Sequence, residues 1–334
     1  MAVRELNAVD VQAHRRRGHF TRAMYRLLRK KIAVACIIAL LIVYSGGVFA
    51  AWVAPHDYQF QDYNVINKGP IFVTDSGLKA FWTESHFAGT DRFGRDMFTR
   101  VLWGIQNTVI LTIVAMLTGG LFIGVTLGLL SGYAGGKVDA VIMRTGEIFG
   151  SFPDILLAII LAATLRPRIV QWVRWVEDHT FLDDLVKSGV ADYVVISLAL
   201  VSFGWIGMAR LVRGQILVLK ETQYVESARA IGASTPRILF HHLLPNAISP
   251  VVVSVSMGMG SMVGVEIILS WLGIGIQPPR PSLGLMLFEG GVNLSILRNW
   301  PWLLLAPGIA SWLMVLSWNL LGDALNDVLN PRTR

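Results

Sequence analysis

Four ionisable side chains stand inside otherwise apolar stretches of this chain: Arg144, Glu147, Asp154 and Glu266. A charge in an apolar helix is costly unless it faces protein, a water-filled path or an opposite charge. The four are candidates for lining an inner path or for pairing one helix with another, and pairing weighs more because buried charges usually find partners. His241 and His242 are adjacent. Neighbours on a helix point about 100° apart, whereas helical ligand pairs sit at i and i+4, so no metal site is expected there. Gly135-Gly136-Lys137 resembles the end of a phosphate loop, but residue 131 is Ser and residue 138 is Val. The pattern G-x-x-x-x-G-K-[ST] fails at both positions, and no strand precedes it. Neither H-E-x-x-H nor a Ser/His/Asp or paired-carboxylate arrangement stands out. The chain reads as non-catalytic and without a cofactor of its own. If it moves a solute uphill, it needs an ion gradient or a partner that hydrolyses ATP.

The elements that must position these residues are set by composition. Of 334 residues, 54% are apolar and 15% charged, against about 25% charged in an ordinary soluble domain. About 20 apolar helical residues cross a bilayer core of about 30 Å. Six such runs are legible, at 32–54, 108–131, 138–165, 193–212, 247–272 and 301–321. The expected fold is an all-α integral membrane protein with about six transmembrane helices. It divides into a basic segment 1–31, a first helix 32–54, an outer loop 55–103, a core 104–322 and a tail 323–334. The first run is too long for a cleaved signal peptide and reads as an uncleaved anchor. Gly120, Gly124, Gly128 and Gly132, four apart, put small residues on one face of the second span, where another helix can approach closely. Segment 166–192 reads as a polar insertion holding a short interfacial helix. Cys36, the only cysteine, forms no intrachain disulfide.

Charge sets the expected orientation. The net charge is +7, and nine Lys/Arg precede residue 32, among them Arg15-Arg16-Arg17. That clustering fits a membrane flank better than a nucleic-acid surface. Segment 21–31 is either an amphipathic helix on the inner leaflet or a flexible basic tail. With the N-terminus inside, the inner segments hold 17 Lys/Arg and the outer segments 11, in keeping with the positive-inside rule. Six spans then bring the C-terminus inside as well.

The inner segment 221–246 reads ETQYVESARAIGASTPRILFHHLLPN. Tyr224, Val225, Ala228 and Ile231 form one helical stripe, and Gly232 ends it. Ser234 or Thr235 caps a second helix with Pro236 in its first turn. Ile238, Leu239, His242 and Leu243 form the second stripe, and Pro245 is expected to stop it. Such a unit can lie on lipid or insert as a knob into a soluble partner.

Glu226-Ser227-Ala228, then Gly232, then Leu244-Pro245 resemble the cytoplasmic coupling loop of ABC importer permeases, E-A-A-x-x-x-G followed after nine residues by I-x-L-P. Ser227 replaces the second alanine, and His242 the isoleucine. The run from His242 to Asn246 is similar to H-I-L-P-N of the peptide-permease branch. Residues 87–96, 131–139 with Met143-Arg144, 269–275, and 322–327 with Asn330-Pro331-Arg332 resemble further motifs of that branch, with Asn326 and Asn330 as departures. The chain is identified as resembling the dipeptide/oligopeptide/nickel permease family, second-permease branch. The resemblance implies a type I ABC importer permease fold in a bacterial inner membrane, multi-pass, importing di- or oligopeptides. Nickel or another small solute is an alternative cargo, and an ion-coupled carrier an alternative class. It implies a homologous second permease, one or two ABC ATPases holding ATP and Mg, and an extracytoplasmic solute-binding protein. It does not imply a nucleic-acid partner. The ATPase-docking residues it implies are Tyr224, Glu226, Ser227, Ala228, Gly232, Ala233, His242, Leu244, Pro245 and Asn246.

Overall fold

In hydrocarbon every backbone N–H and C=O must be paired within the protein, so lone apolar runs adopt helices. The computed structural model describes residues 19–70, 86–181, 184–186 and 188–329. The Arg15–Arg17 run and Asn330-Pro331-Arg332 lie outside them. No named strand occurs among the described residues. Among the described residues six helices are long and apolar enough to cross a membrane.

Helix α1 (His19–Arg29) precedes the first span, α2 (Lys31–Val48), which a short turn, Ala50–Val53, prolongs. Segment 21–31 is thus helical except at Lys30, which is extended between α1 and α2. α3 (Met97–Ala134) is the second span, α4 (Gly136–Gly150) follows it, and α5 (Asp154–His179) is the third. α6 (Val190–Leu219), α8 (Thr235–Trp271) and α11 (Trp302–Leu329) complete the six. Short helices α7 (Gln223–Ala230), α9 (Leu283–Gly291) and α10 (Leu294–Asn299) lie between them.

Several boundaries differ from the sequence expectation. The single run 138–165 is broken at Ser151–Pro153 into α4 and α5, because Pro153 cannot continue a helix from behind. The supposed insertion 166–192 is largely the continuation of α5 to His179, and Arg166 pins it to Asp192 at the start of α6 at 2.6 Å. Residues 97–103 belong to α3 rather than to a loop, and residues 323–329 are the last turns of α11 rather than a tail. Pro245 does not stop its helix. Wide π-type turns over Ile238–Leu243 precede it and make room where the proline ring would meet the His241 carbonyl. Asn246 Nδ2 donates to the His242 carbonyl at 2.7 Å, taking up a carbonyl in that stretch.

α2 lies along α11. Ala33, Cys36 and Leu40 pack with Leu27 of α1 and with Leu321 and Ala324. Trp318 Nε1 donates to the Tyr44 hydroxyl at 2.6 Å, and Lys30 Nζ reaches Asp327 at 2.8 Å. The two described chain ends therefore meet at one face.

α3 packs on α6 through glycines. A Cβ on Gly124, Gly128 or Gly132 would stand 2.7–2.8 Å from Met208, Ala209, Val212 or Ile216, and one on Gly119 3.1 Å from the Val201 backbone. The expected face began at Gly120. That residue instead meets its own Met116, because wide turns over Met116–Val125 shift the register by one residue.

This seam yields a test. In Gly128→Leu the new side chain meets the Ala209 carbonyl, so the helices must part, at about 1–3 kcal/mol. Thermal melts of the detergent-solubilised protein are expected to fall several degrees. Gly214→Ala, with nothing near its Cβ, leaves the melt unchanged or slightly raised. An unaltered melt for Gly128→Leu would contradict the seam.

Candidate functional site

At the Ala134 end of α3 the segment 221–246 folds as an elbow. Thr222 starts α7 in extended conformation. The helix ends in a paired closure in which the Gly232 N–H donates to the Arg229 carbonyl at 2.9 Å and the Ala233 N–H to the Ala228 carbonyl at 3.0 Å. That closure needs a left-handed residue at its turn, and Gly232 supplies it with φ +80°. Ser234 is again extended, and Pro236 sits in the first turn of α8, where its missing N–H costs nothing.

The elbow is seated on the ends of the spans. Val225, Ile238, Leu239, Leu243 and Ala247 are buried with Leu129 of α3 and Met208, Val212 and Ile216 of α6. Arg229 lies over the Tyr133 ring, 5.3 Å from its centre, and Asn246 Nδ2 reaches the Tyr224 hydroxyl at 3.4 Å. Val225 and Ala228 of the first expected stripe are buried, whereas Tyr224 is partly open and Ile231 points outward, 86% exposed. In the second stripe Ile238, Leu239 and Leu243 are buried and His242 is half-buried. Ala233 and Leu244 are half-buried. Glu226, Ser227, Gly232, Pro245 and Asn246 are exposed. Ser227 Oγ donates to the Gln223 carbonyl at 2.9 Å, so its hydroxyl is used within α7. Phe240, 55% exposed, joins Ile231 on the outward surface. Neither was singled out as an outward group from sequence. Ile231 follows the last turn of α7 and lies beyond the reach of the stripe.

A fork of charge ties this region together. Arg213 Nε and Nη2 donate to Asp139 Oδ1 and Oδ2 at 2.5 and 2.6 Å, and Ser131 Oγ donates to the same carboxylate. The first turn of α4, the last of α3 and the final third of α6 thus share one anion.

The four apolar-run charges separate. Glu266, 1% exposed, accepts from Thr108 Oγ1 and Ser270 Oγ, both at 2.8 Å. It joins α8 to α3 through hydroxyls rather than a basic partner. Arg144 and Glu147 bond to each other at 2.9 Å within α4, and their side chains are 81% and 54% exposed. They do not pair across spans. Asp154 is exposed at the first residue of α5.

The other end of α3 carries a knot. Asp91 accepts from the Phe93 and Arg95 N–H groups at 2.8 and 2.9 Å, from Arg95 Nε at 2.7 Å and from Arg100 Nη1 at 2.6 Å. Glu289 of α9 lies 3.6 Å from Arg100. Asp96 caps α3 by accepting from the Thr99 N–H at 2.7 Å. Residues 89–96 are thus a built turn into α3. With 38 residues, α3 runs about 57 Å, so knot and elbow stand at opposite ends.

Residues 124–334 match the family described as binding-protein-dependent transport system inner membrane component. Residues 19–70 match the N-terminal TM domain of oligopeptide transport permease C. The glutathione transport system permease protein GsiD of Pectobacterium atrosepticum is 37% identical over 310 residues, 92% of this chain and 90% of the relative. That of Escherichia coli is also 37% identical over 310 residues, 92% and 89% of the two chains. The dipeptide transport system permease protein DppC of Alkalihalophilus pseudofirmus is 31% identical over 312 residues, 93% and 90%.

The fork is testable by mutation and by pH. The Arg213 hydrogen bonds, aided by Ser131, hold the Asp139 carboxyl below its ordinary value. A carboxylate so lowered contributes stability above its unfolded pKa of about 3.9 and loses it as pH falls through the lower folded value. Asp139→Asn is expected to cost about 1–2 kcal/mol, allowing for the partial exposure of Arg213. In thermal melts the variant lies below wild type at pH 7, and the two converge as pH falls below about 4. Equal melts at pH 7 would remove the fork from the account.

Proposed function

The chain belongs to the binding-protein-dependent transport system inner membrane component family, and on that premise we propose that it forms half of a peptide-import path whose 221–246 elbow docks on a separate ATPase. It is a non-catalytic, multi-pass inner-membrane permease subunit of an ABC importer. Such a machine includes an ATPase and a solute-binding protein. The finer composition we propose is a homologous second permease, one or two ABC ATPases and an extracytoplasmic binding protein. ATP and Mg sit on the ATPase, and this chain holds no nucleotide.

The elbow carries the reading. Its inner stripe, Val225, Ile238, Leu239 and Leu243, is locked to α3 and α6. Its outer surface offers Glu226, Ile231, Phe240 and Pro245. A unit fixed on one side and bare on the other suits the transfer of motion. ATP binding closes the ATPase pair, the elbow moves with its socket as a rigid body, and α3, α6 and α8 follow. Glu226 offers a carboxylate to a cation or N–H of the socket, and Ser227, Ala228 and Gly232 keep the approach close. With the elbow on the cytoplasmic side, α8 rises from it and α11 descends to end on the same side. Lys30 and Asp327 then mark the cytoplasmic face, in keeping with the charge count. Arg144, Glu147 and Asp154, open on one stretch of α4 and α5, are proposed to face the path or the second permease.

Short peptides are the proposed cargo, because the relatives are named for glutathione and dipeptide transport. Three results test the reading. In the reconstituted complex, Gly232→Asp is expected to lower binding-protein-stimulated ATP hydrolysis about tenfold or more, while Gly232→Asn, a residue that tolerates positive φ, retains more of it. Both variants insert and melt normally. Stimulated hydrolysis unchanged in Gly232→Asp would count against docking. Proteoliposomes are expected to take up labelled short peptides, displaced by unlabelled peptide and not by nickel. Uptake that persists with an inactive ATPase would point to an ion-coupled carrier instead.

A further inference from the structure

At the Met97 end of α3, three metal-ligating side chains distant in sequence come together. His56 follows the first span, His86 precedes the knot, and Asp96 caps α3. One donor atom from each lies within 4.8 Å of the others. His86 Nδ1 is 2.9 Å from Asp96 Oδ1, and Asp96 Oδ2 is taken by the Thr99 N–H. The His56 and His86 rings lie 5.1 Å apart, and Phe60 stacks on His56 at 5.9 Å. His86 and Asp96 are buried.

A helix cap alone accounts for His86 and Asp96. It leaves His56 unexplained, whose Nε2 is buried and has no hydrogen-bond partner. A buried imidazole nitrogen without a partner is a cost that a folded protein usually avoids. A donor atom of the same ring lies within 4.8 Å of a second histidine and of a carboxylate with one oxygen uncommitted to the backbone. Two imidazoles and one carboxylate are a donor set for a late first-row divalent ion, and zinc takes it as a tetrahedron completed by water. Tetrahedral donors at about 2.0–2.1 Å from zinc stand about 3.3 Å apart. The separations that run up to 4.8 Å therefore need to close by an ångström or so, a ring rotation of His56, while the His86–Asp96 pair at 2.9 Å opens slightly.

We propose that His56, His86 and Asp96 bind one zinc ion, which staples the segment after the first span to the first turn of α3. Zinc takes the place of the hydrogen between His86 Nδ1 and Asp96 Oδ1, and the neutral His86 ring then carries its single proton on Nε2. The four-residue spacing that marks helical metal pairs is absent here, because the ligands come from two loop segments and a helix cap.

The full chain in nanodiscs, purified on a tag without histidine, tests this by equilibrium dialysis against zinc and metal analysis. Wild type is expected to retain one zinc per chain. X-ray absorption should show nitrogen and oxygen donors at about 2.0–2.1 Å. His86→Gln and Asp96→Asn disturb the cap of α3, so the deciding variant is His56→Phe, which keeps a ring against Phe60. It is expected to lose affinity about tenfold or more with its melt in metal-free buffer unchanged. A variant with both His241→Ala and His242→Ala is expected to keep its zinc. Wild type that retains none, His56→Phe that retains it in full, or loss in the His241/His242 variant overturns the proposal. None of these outcomes bears on the elbow.

Discussion

The close approach of α3 to α6 governs the molecule. Between helices in lipid there is no hydrophobic drive, and association comes from backbone proximity and dispersion, for which small residues are required. Gly119, Gly124, Gly128 and Gly132 bring α3 against Val201, Met208, Val212 and Ile216. The depth of that contact sets the spacing of Leu129, Val212 and Ile216. These are the surfaces on which the elbow lays Val225, Ile238, Leu239 and Leu243. A wider seam would leave the elbow without a floor.

Polar chemistry is placed to hold this frame at three levels. The Asp91 knot secures one end of α3, Glu266 joins α3 to α8 at Thr108, nearer that end, and the Asp139–Arg213 fork closes the other end. Each carboxyl group has two or more hydrogen-bond partners, which is the condition under which a partly or fully buried polar group is tolerated. Such pairs add little net stability, but they specify a register. The exposed surfaces of α4 and of the elbow carry no comparable network. The rigid part and the contacting part of the subunit are therefore separate, as a unit that transmits motion requires.

Legibility in the sequence followed the range of the interaction. The six apolar runs were visible because burial in lipid acts on composition, and Gly232 because a paired helix closure needs a left-handed residue at a fixed place. The end of the third span was misplaced because Pro153 and the polar stretch after Arg166 compete, and composition alone cannot say which side of a proline the helix occupies. Pro245 misled for a related reason. A proline forbids a regular helix, but wide turns ahead of it, with Asn246 on the His242 carbonyl, restore one. The glycine face was right in kind and wrong by one residue at Gly120, because the wide turns at Met116–Val125 change the period from which the face was read.

The sequence by itself determined the class of solvent, the number of crossings, the place of the elbow and the family, since all of these are written in local composition and short motifs. Tertiary structure alone decided which charges meet. Glu266 found hydroxyls of α3 and α8, Arg213 reached Asp139, and His56 came beside His86 and Asp96. Arg213 and Asp139 stand 74 residues apart, and Glu266 and Thr108 158. Nothing in a residue's neighbours along the chain carries the distance between two side chains once the helices have packed.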